Sequence, residues 1–362
     1  MKYRKINLLV IQKLKNFIIF VVVFTIVNAL ANDKSIEGSV WVANEDDNSI
    51  TIINARNNKV LTTLTEIESP HNLQVSPDNK TVWIVSGHKA LAIAVDVKTY
   101  ALKGVVATGK MPAHIIISPD GKSVYVTNGE DNSVSIIDVR TMKAISTIPT
   151  GKQPHGLRTS PDGKWIYVAN ASGTTISVIE TASNKKIADI EVGKKPVQVG
   201  FSPDGKYAYV SLNAENVLAK IDVSSKKTIA KVAVGVGPIQ VFVSPNNKYI
   251  LVANQGTEQN PSTTTSIVDI KTFTVVKTVN TGKGAHGVVI ESLSRFAYIT
   301  NMYENTIAIL DLKTLKIVAS TPTGIKPNGI SYSRYTPTAT SSSNIAIKLP
   351  EMKSSNEINM KH

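Results

Sequence analysis

Short runs of β-branched and aromatic residues alternate with polar punctuation along nearly the whole chain. The stretch SVYVTNGEDNSVSIIDVRTMKAISTIPTGKQPHGLRTSPDGK shows the arrangement in full. Its apolar runs VYVTN, VSIIDV, AISTIP and GLRTS hold the residue types that fit a pleated, half-buried surface. Between them lie GEDNS, DVRTMK, TGKQPHG and SPDGK, where Gly, Pro, Asn and Asp favour turns. Strand formers bounded by such clusters predict hairpins rather than helices, so each unit is a small antiparallel sheet of four strands.

The unit repeats. VWVAN, VWIVS, VYVTN, IYVAN, AYVSL, ILVAN and AYITN end on Asn44, Ser86, Asn128, Asn170, Leu212, Asn254 and Asn301. Five successive spacings are 42 residues and the last is 47, the excess falling in a polar loop between Gly256 and Thr265. A lone four-stranded blade is apolar on both faces and cannot bury them, whereas a ring lets each blade cover its neighbours. The expected fold is therefore all-β: a seven-bladed β-propeller of four-stranded antiparallel blades. The column Trp41, Trp83, Tyr125, Tyr167, Tyr209, Leu251 and Tyr298 should pack between blades. At the ends, GSVWVAN lacks a preceding inner strand and PNGISYSR lacks a following one. The C-terminal strand should therefore pair with the N-terminal blade and close the ring.

Outside residues 32–336 the pattern changes. Lys2, Arg4, Lys5, Lys13 and Lys15 precede an apolar run from Phe17 to Val27 and the small-residue motif Ala29-Leu30-Ala31. That order predicts a signal peptide over 1–31, cleaved before Asn32, with an uncleaved anchor as the alternative. It places the mature protein in the periplasm, outside the cell or on its surface, without a membrane span. Residues 337–362 are rich in Ser and Thr and aperiodic, which predicts a disordered tail. The formal charge of +13 includes five basic residues of the leader; without them it is +8. There is no cysteine among the 362 residues, which excludes disulfides, thiolate ligands and a covalently attached c-type haem.

The succession of VYVTN, SVSIIDVRT and PTGKQPHGLRTSPDGK resembles the YVTN repeat family of propellers over residues 38–336. That resemblance implies architecture more than activity. Similar repeats build surface-layer proteins, the haem-carrying domain of cytochrome cd nitrite reductases, proteins that assemble that haem, and the propeller subunit of hydrazine synthase. The last belongs to a multihaem complex, so the resemblance implies a protein partner, a cytochrome or a haem-pathway protein among the candidates.

Strand alternation sorts the turns onto two faces. One is basic by repetition, with Lys80, Lys122, Lys164, Lys206 and Lys248 in one turn type and Arg56, Lys98, Arg140, Lys226, Lys271 and Lys313 in or near the other. A docking surface and an ordinary solvated ring both fit this pattern. Nucleic acid is not expected, because these turns lack interleaved aromatics for base stacking. The other face carries histidines. At one repeat position stand His71, Ala113, His155, Val197, Ile239, His286 and Asn328, with His114 one place later. Here the connection enters the innermost strand, at the rim of the central channel.

Three readings of this rim stay open. The imidazoles could brace the tight connections; His71, His114, His155 and His286 could hold a transition metal; or His114 and His155 could address a haem or its bound anion. The third follows from the resemblance, because the nitrite reductases likewise set histidines of successive blades over their haem. No G-x-S-x-G, H-E-x-x-H or phosphate-cradling loop occurs, and no acidic cluster is evident beside the histidines. The expectation is an exported binding or scaffold propeller without catalytic activity of its own, serving a redox or haem-handling system. Its alternatives are a cofactor-binding histidine site and a subunit of a multihaem enzyme complex.

Overall fold

A computed structural model describes residues 36–337 and 344–350. The segment read as a signal peptide lies outside the described residues. The chain divides into two units, Met1–Glu37 and Gly38–His362, and the second contains the propeller. Seven antiparallel sheets form it. We number the blades by their innermost strands: Pro70–Val75, Pro112–Ile117, Pro154–Thr159, Pro196–Phe201, Pro238–Val243, Ala285–Ile290 and Pro327–Ser333. Each innermost strand packs against its counterparts in the two neighbouring blades, and the seven make the wall of the channel. In the second blade the outer three strands are Ser123–Asn128, Ser133–Asp138 and Lys143–Pro149, paired in sequence order.

Each letter of the repeat has a physical task. The second-position aromatics are sealed between blades, Trp41, Tyr167 and Tyr209 all at 0% exposure. The following hydroxyl staples neighbouring blades. Thr127 Oγ1 accepts from the His114 N–H at 2.9 Å and donates to the His155 carbonyl at 2.7 Å. Ser211 does the same between Gln198 and Ile239, and Thr300 between Gly287 and Asn328. The terminal Asn joins three segments: Asn128 Nδ2 donates to Ser133 and Ser135, while its Oδ1 accepts from the Gly109 N–H. Such bonds satisfy buried groups that would each cost about 1–3 kcal/mol if orphaned.

The S-P-D-G-K turn is tied by Ser118 Oγ, which donates to Asp120 at 2.6 Å and accepts from the Ser123 N–H at 3.0 Å. In the sixth blade Glu291 stands where the serine would be. Its carboxylate accepts from the Leu293 and Arg295 N–H groups and replaces both partners.

Closure follows the expected route. Ser39–Asn44 pairs antiparallel with Pro327–Ser333, matching Val40 to Tyr332 and Trp41 to Ser331. The clasp continues past the strand, with Ser39 Oγ donating to the Tyr335 carbonyl and the Gly38 N–H to Thr336 Oγ1. The expectation of a disordered tail is corrected for residues 344–350. Ile345–Ala346 adds a fifth strand to the seventh blade, parallel to its outer strand and matched to Leu64 and Thr65. The Ile347 side chain is 3% exposed, in the cluster that holds Leu64 and Ile67. An unpaired outer edge and an apolar gap between blades supply the binding energy that composition alone does not reveal.

Candidate functional site

The innermost strands alternate in a way that builds the site. Their fourth and sixth residues, such as Ile115 and Ile117 or Val241 and Val243, pack on the preceding blade. The third and fifth residues take the opposite side. His71 and His155 occupy second positions and His114 a third position, so they sit in two adjacent tiers of the channel wall. The structure brings these three together. The His114 and His155 ring centroids are 4.6 Å apart, His71 and His155 5.6 Å, His71 and His114 5.9 Å. One ligand atom from each lies within 4.8 Å of the other two. His286 is buried nearby on the sixth blade but lies outside this group of three.

Hydrogen bonds orient the rings. The Nδ1–H of His71 donates to Glu45 Oε1 at 3.1 Å and that of His155 to the Val197 carbonyl at 3.3 Å. Both therefore turn an Nε2 lone pair away from the wall. His114 differs, because Gln198 Nε2 donates to its Nδ1 at 3.3 Å while Gln198 Oε1 is held by the Val199 N–H at 2.8 Å. The Nε2 atoms of His71 and His114 are buried without a hydrogen-bond partner. Gly156 makes the His114–Gln198 bond possible: a Cβ there would collide with the Gln198 side chain and the Val197 carbonyl.

The imidazoles of His114, His155 and His286 are neutral at ordinary pH. Burial, with the neighbouring histidines and Arg158, pushes His114 well below its usual value. Burial and the charges of His71 and His286 bring His155 down to about 3, and burial with His71 brings His286 to about 4. Glu45 runs the other way. Burial alone would raise it, but the His71 bond and charge, the Asn328 amide and His286 hold it at about 2. Glu45 is a residue of this candidate site that sequence reasoning missed: the histidines have a single acid beside them rather than an acidic cluster. Its column reads Glu45, Gly87, Gly129, Ala171, Asn213, Gln255 and Met302, so a single charge among uncharged residues was the available signal.

Over the cluster lies a pocket of about 380 Å³ bounded by Glu45, His71, His88, Met111, Glu130 and His155. A wider depression of about 690 Å³, lined by His71, His155, His286 and Asn328, continues across the channel mouth. On the opposite face the lysines are not simply solvated. Lys226 lies 5.0 Å over Trp165, Lys220 3.8 Å over Tyr207 and Lys248 4.8 Å over Tyr249.

Seven four-stranded blades closed through the N- and C-terminal strands, with a histidine cluster at one end of the ring, define a seven-bladed β-propeller. The chain belongs to the YNCE-like beta-propeller family, whose model matches residues 94–357. No curated protein is matched by its sequence. Among solved structures it is similar to Kuenenia stuttgartiensis hydrazine synthase, with 25% identity and a TM-score of 0.67 over 72% of this chain and 89% of that one. It is also similar in fold to the dihydro-heme d1 dehydrogenase NirN in complex with DHE, at 15% identity and TM-score 0.62, covering 81% and 74% of the two chains. The Pseudomonas aeruginosa periplasmic gluconolactonase PpgL matches at 16% identity and TM-score 0.69 over 84% and 99%. The last two likenesses establish the fold alone. No helix among the described residues is long and apolar enough to cross a membrane.

The oriented Gln198 amide leads to a direct expectation. In Gln198→Glu, a carboxylate accepts the His114 Nδ1–H, and the Nε2 lone pair becomes available. Outer partners of this kind change metal affinity by about 10–100-fold. Zinc titration by calorimetry should show tighter binding in the variant; unchanged or weaker binding would refute the tautomer assignment.

Proposed function

We propose that this protein is an exported binding propeller that holds a divalent transition-metal ion at His71, His114 and His155. It works docked to a protein partner in a redox or haem-handling system. The observation that carries this reading is the convergence of three ligand atoms within 4.8 Å. Ligand bonds of about 2.1 Å place tetrahedral donors about 3.4 Å apart, so modest side-chain rotation, with release of the proton on His114 Nε2 or a shift of its tautomer, completes the set. The carboxylate behind His71 and the carbonyl behind His155 are the outer partners that such ligands use. A fourth position would open into the 380 Å³ pocket. His114, at 1% exposure, suits a small ion better than the broad face of a haem. The 25% identity with hydrazine synthase supports the docked partner.

The test is titration of chelator-stripped mature protein with zinc, copper and haem, repeated on His114→Ala/His155→Ala. Wild type should take up one equivalent of metal, and the double variant should lose more than about a hundredfold in affinity, since even an outer partner is worth 10–100-fold. Equal weak binding by both, with only an earlier melt in the variant, would make the cluster structural and leave protein contact as the function.

A further inference from the structure

The fifth position of the innermost strand has a recognisable task in two blades. Ser331 Oγ accepts from the Val75 N–H of the next blade at 3.1 Å, and Gln74 Oε1 accepts from the Ile117 N–H at 2.9 Å. These amides lie on the channel-side edge of the sheet, where no further strand can pair with them. The side chain of the preceding blade satisfies them instead. Across the ring the column reads Gln74, Ile116, Arg158, Gly200, Phe242, Val289 and Ser331.

Arg158 reverses the chemistry of this position. A guanidinium donates only, so it cannot cap the corresponding Phe201 N–H as serine or glutamine would. Among the described residues Arg158 makes no hydrogen bond, ion pair or ring contact of its own, and no side chain accepts from Phe201 N. Leu157 beside it packs toward the second blade, so Arg158 takes the other side of the strand. It is enclosed deeply enough for burial to lower its pKa to about 10, yet it keeps part of its surface open. At that depth the channel supplies the opening. Its charge also reaches His114. Arg158 thus has no acceptor among the described residues, and by the pattern of Ser331 and Gln74 it occupies the position beside the Phe201 N–H of the next blade.

We infer that the channel binds a small planar oxyanion between the Arg158 guanidinium and the Phe201 N–H, beneath the histidine cluster. The rigid guanidinium fork matches two coplanar oxygens of a carboxylate, nitrate, nitrite or bicarbonate ion. The site is independent of the metal reading, and its test uses protein freed of metal with a chelator, so either can fail alone. Formate, nitrate and bicarbonate are titrated at fixed ionic strength, with melting followed calorimetrically. A saturating rise in melting temperature is expected with wild type. Arg158→Gln should lose it, raising the apparent Kd at least about tenfold, and Arg158→Lys should keep a weakened response because the point charge lacks the fork. An equal response in wild type and Arg158→Gln, or none in wild type, overturns the proposal. Should Arg158→Gln fail to fold, crystals of wild type soaked in bromide decide: an anomalous peak beside Arg158 supports the site and its absence refutes it.

Discussion

Truncation after Ile325 should leave no cooperatively folding protein, whereas truncation after Pro337 should leave a folded ring that melts somewhat earlier. The first removes Pro327–Ser333, the whole innermost strand of the seventh blade. It opens one edge of Ser39–Asn44, strips the wall from between the first and sixth blades, and breaks the Ser39 and Gly38 clasp. Net stability of a domain is only about 5–15 kcal/mol, and a ring held by nearest neighbours cannot lose a closing strand within that margin. The second truncation removes the short fifth strand and the burial of Ile347. One apolar side chain is worth about 1.5–3 kcal/mol. At about 1.6 °C per kcal/mol for a chain of about 300 residues, the melt should fall by roughly 2–5 °C. Scanning calorimetry of both truncations beside the mature protein is the measurement, and equal melting temperatures would refute the closure.

The blades were legible because each strand is short, its turns carry Gly, Pro, Asn and Asp at fixed places, and one error in seven is corrected by the other six. The same redundancy hid the site. The candidate site sits where the columns depart from their consensus. Histidine at the second position was visible because it recurs. His114 in the third tier was readable as a shifted member, but its approach to Gln198 depends on Gly156, two columns that only folding places against each other. Glu45 and Arg158 are each the single charged residue of their columns, and one such departure in a degenerate repeat carries little weight in the sequence. The fifth strand failed for another reason. Ile345, Ile347 and Leu349 alternate at period two, but so short a run in a Ser- and Thr-rich tail does not match the repeat, and its partner edge is nearly three hundred residues away in sequence.

The histidine cluster and the pocket above it rest on different parts of the fold. Thr127 welds the strands that carry His114 and His155, so the cluster inherits the rigidity of the blade interface rather than of any loop. The pocket above it is bordered by connections that carry Met111 and His88.

Acid should unfold this protein in two stages, the first set by the buried imidazoles. In the unfolded chain a histidine titrates near 6.5, while in the folded protein His286 titrates at about 4 and His155 at about 3. Both folded values are depressed. The unfolded state therefore binds protons first, and the stability these residues contribute is complete above pH 6.5 and drains away as the pH falls toward 4 and then 3. For the enclosed His286, a span of two and a half pH units corresponds to at most about 3 kcal/mol. His155, partly open to the channel mouth, contributes less than its own span would suggest. The second stage belongs to Glu45. Its carboxyl is held at about 2, so its contribution is present above the usual carboxylate range and is lost as the pH falls from about 4.5 through 2. Denaturant unfolding of metal-free protein from pH 7.5 to 4 should show a steep decline below 6.5. His286→Asn, which places the seventh blade's own Asn328 residue type at that position, should flatten it by roughly the His286 share. A wild-type stability that stays level between pH 7 and 4.5 would mean that these imidazoles reach solvent in the folded state.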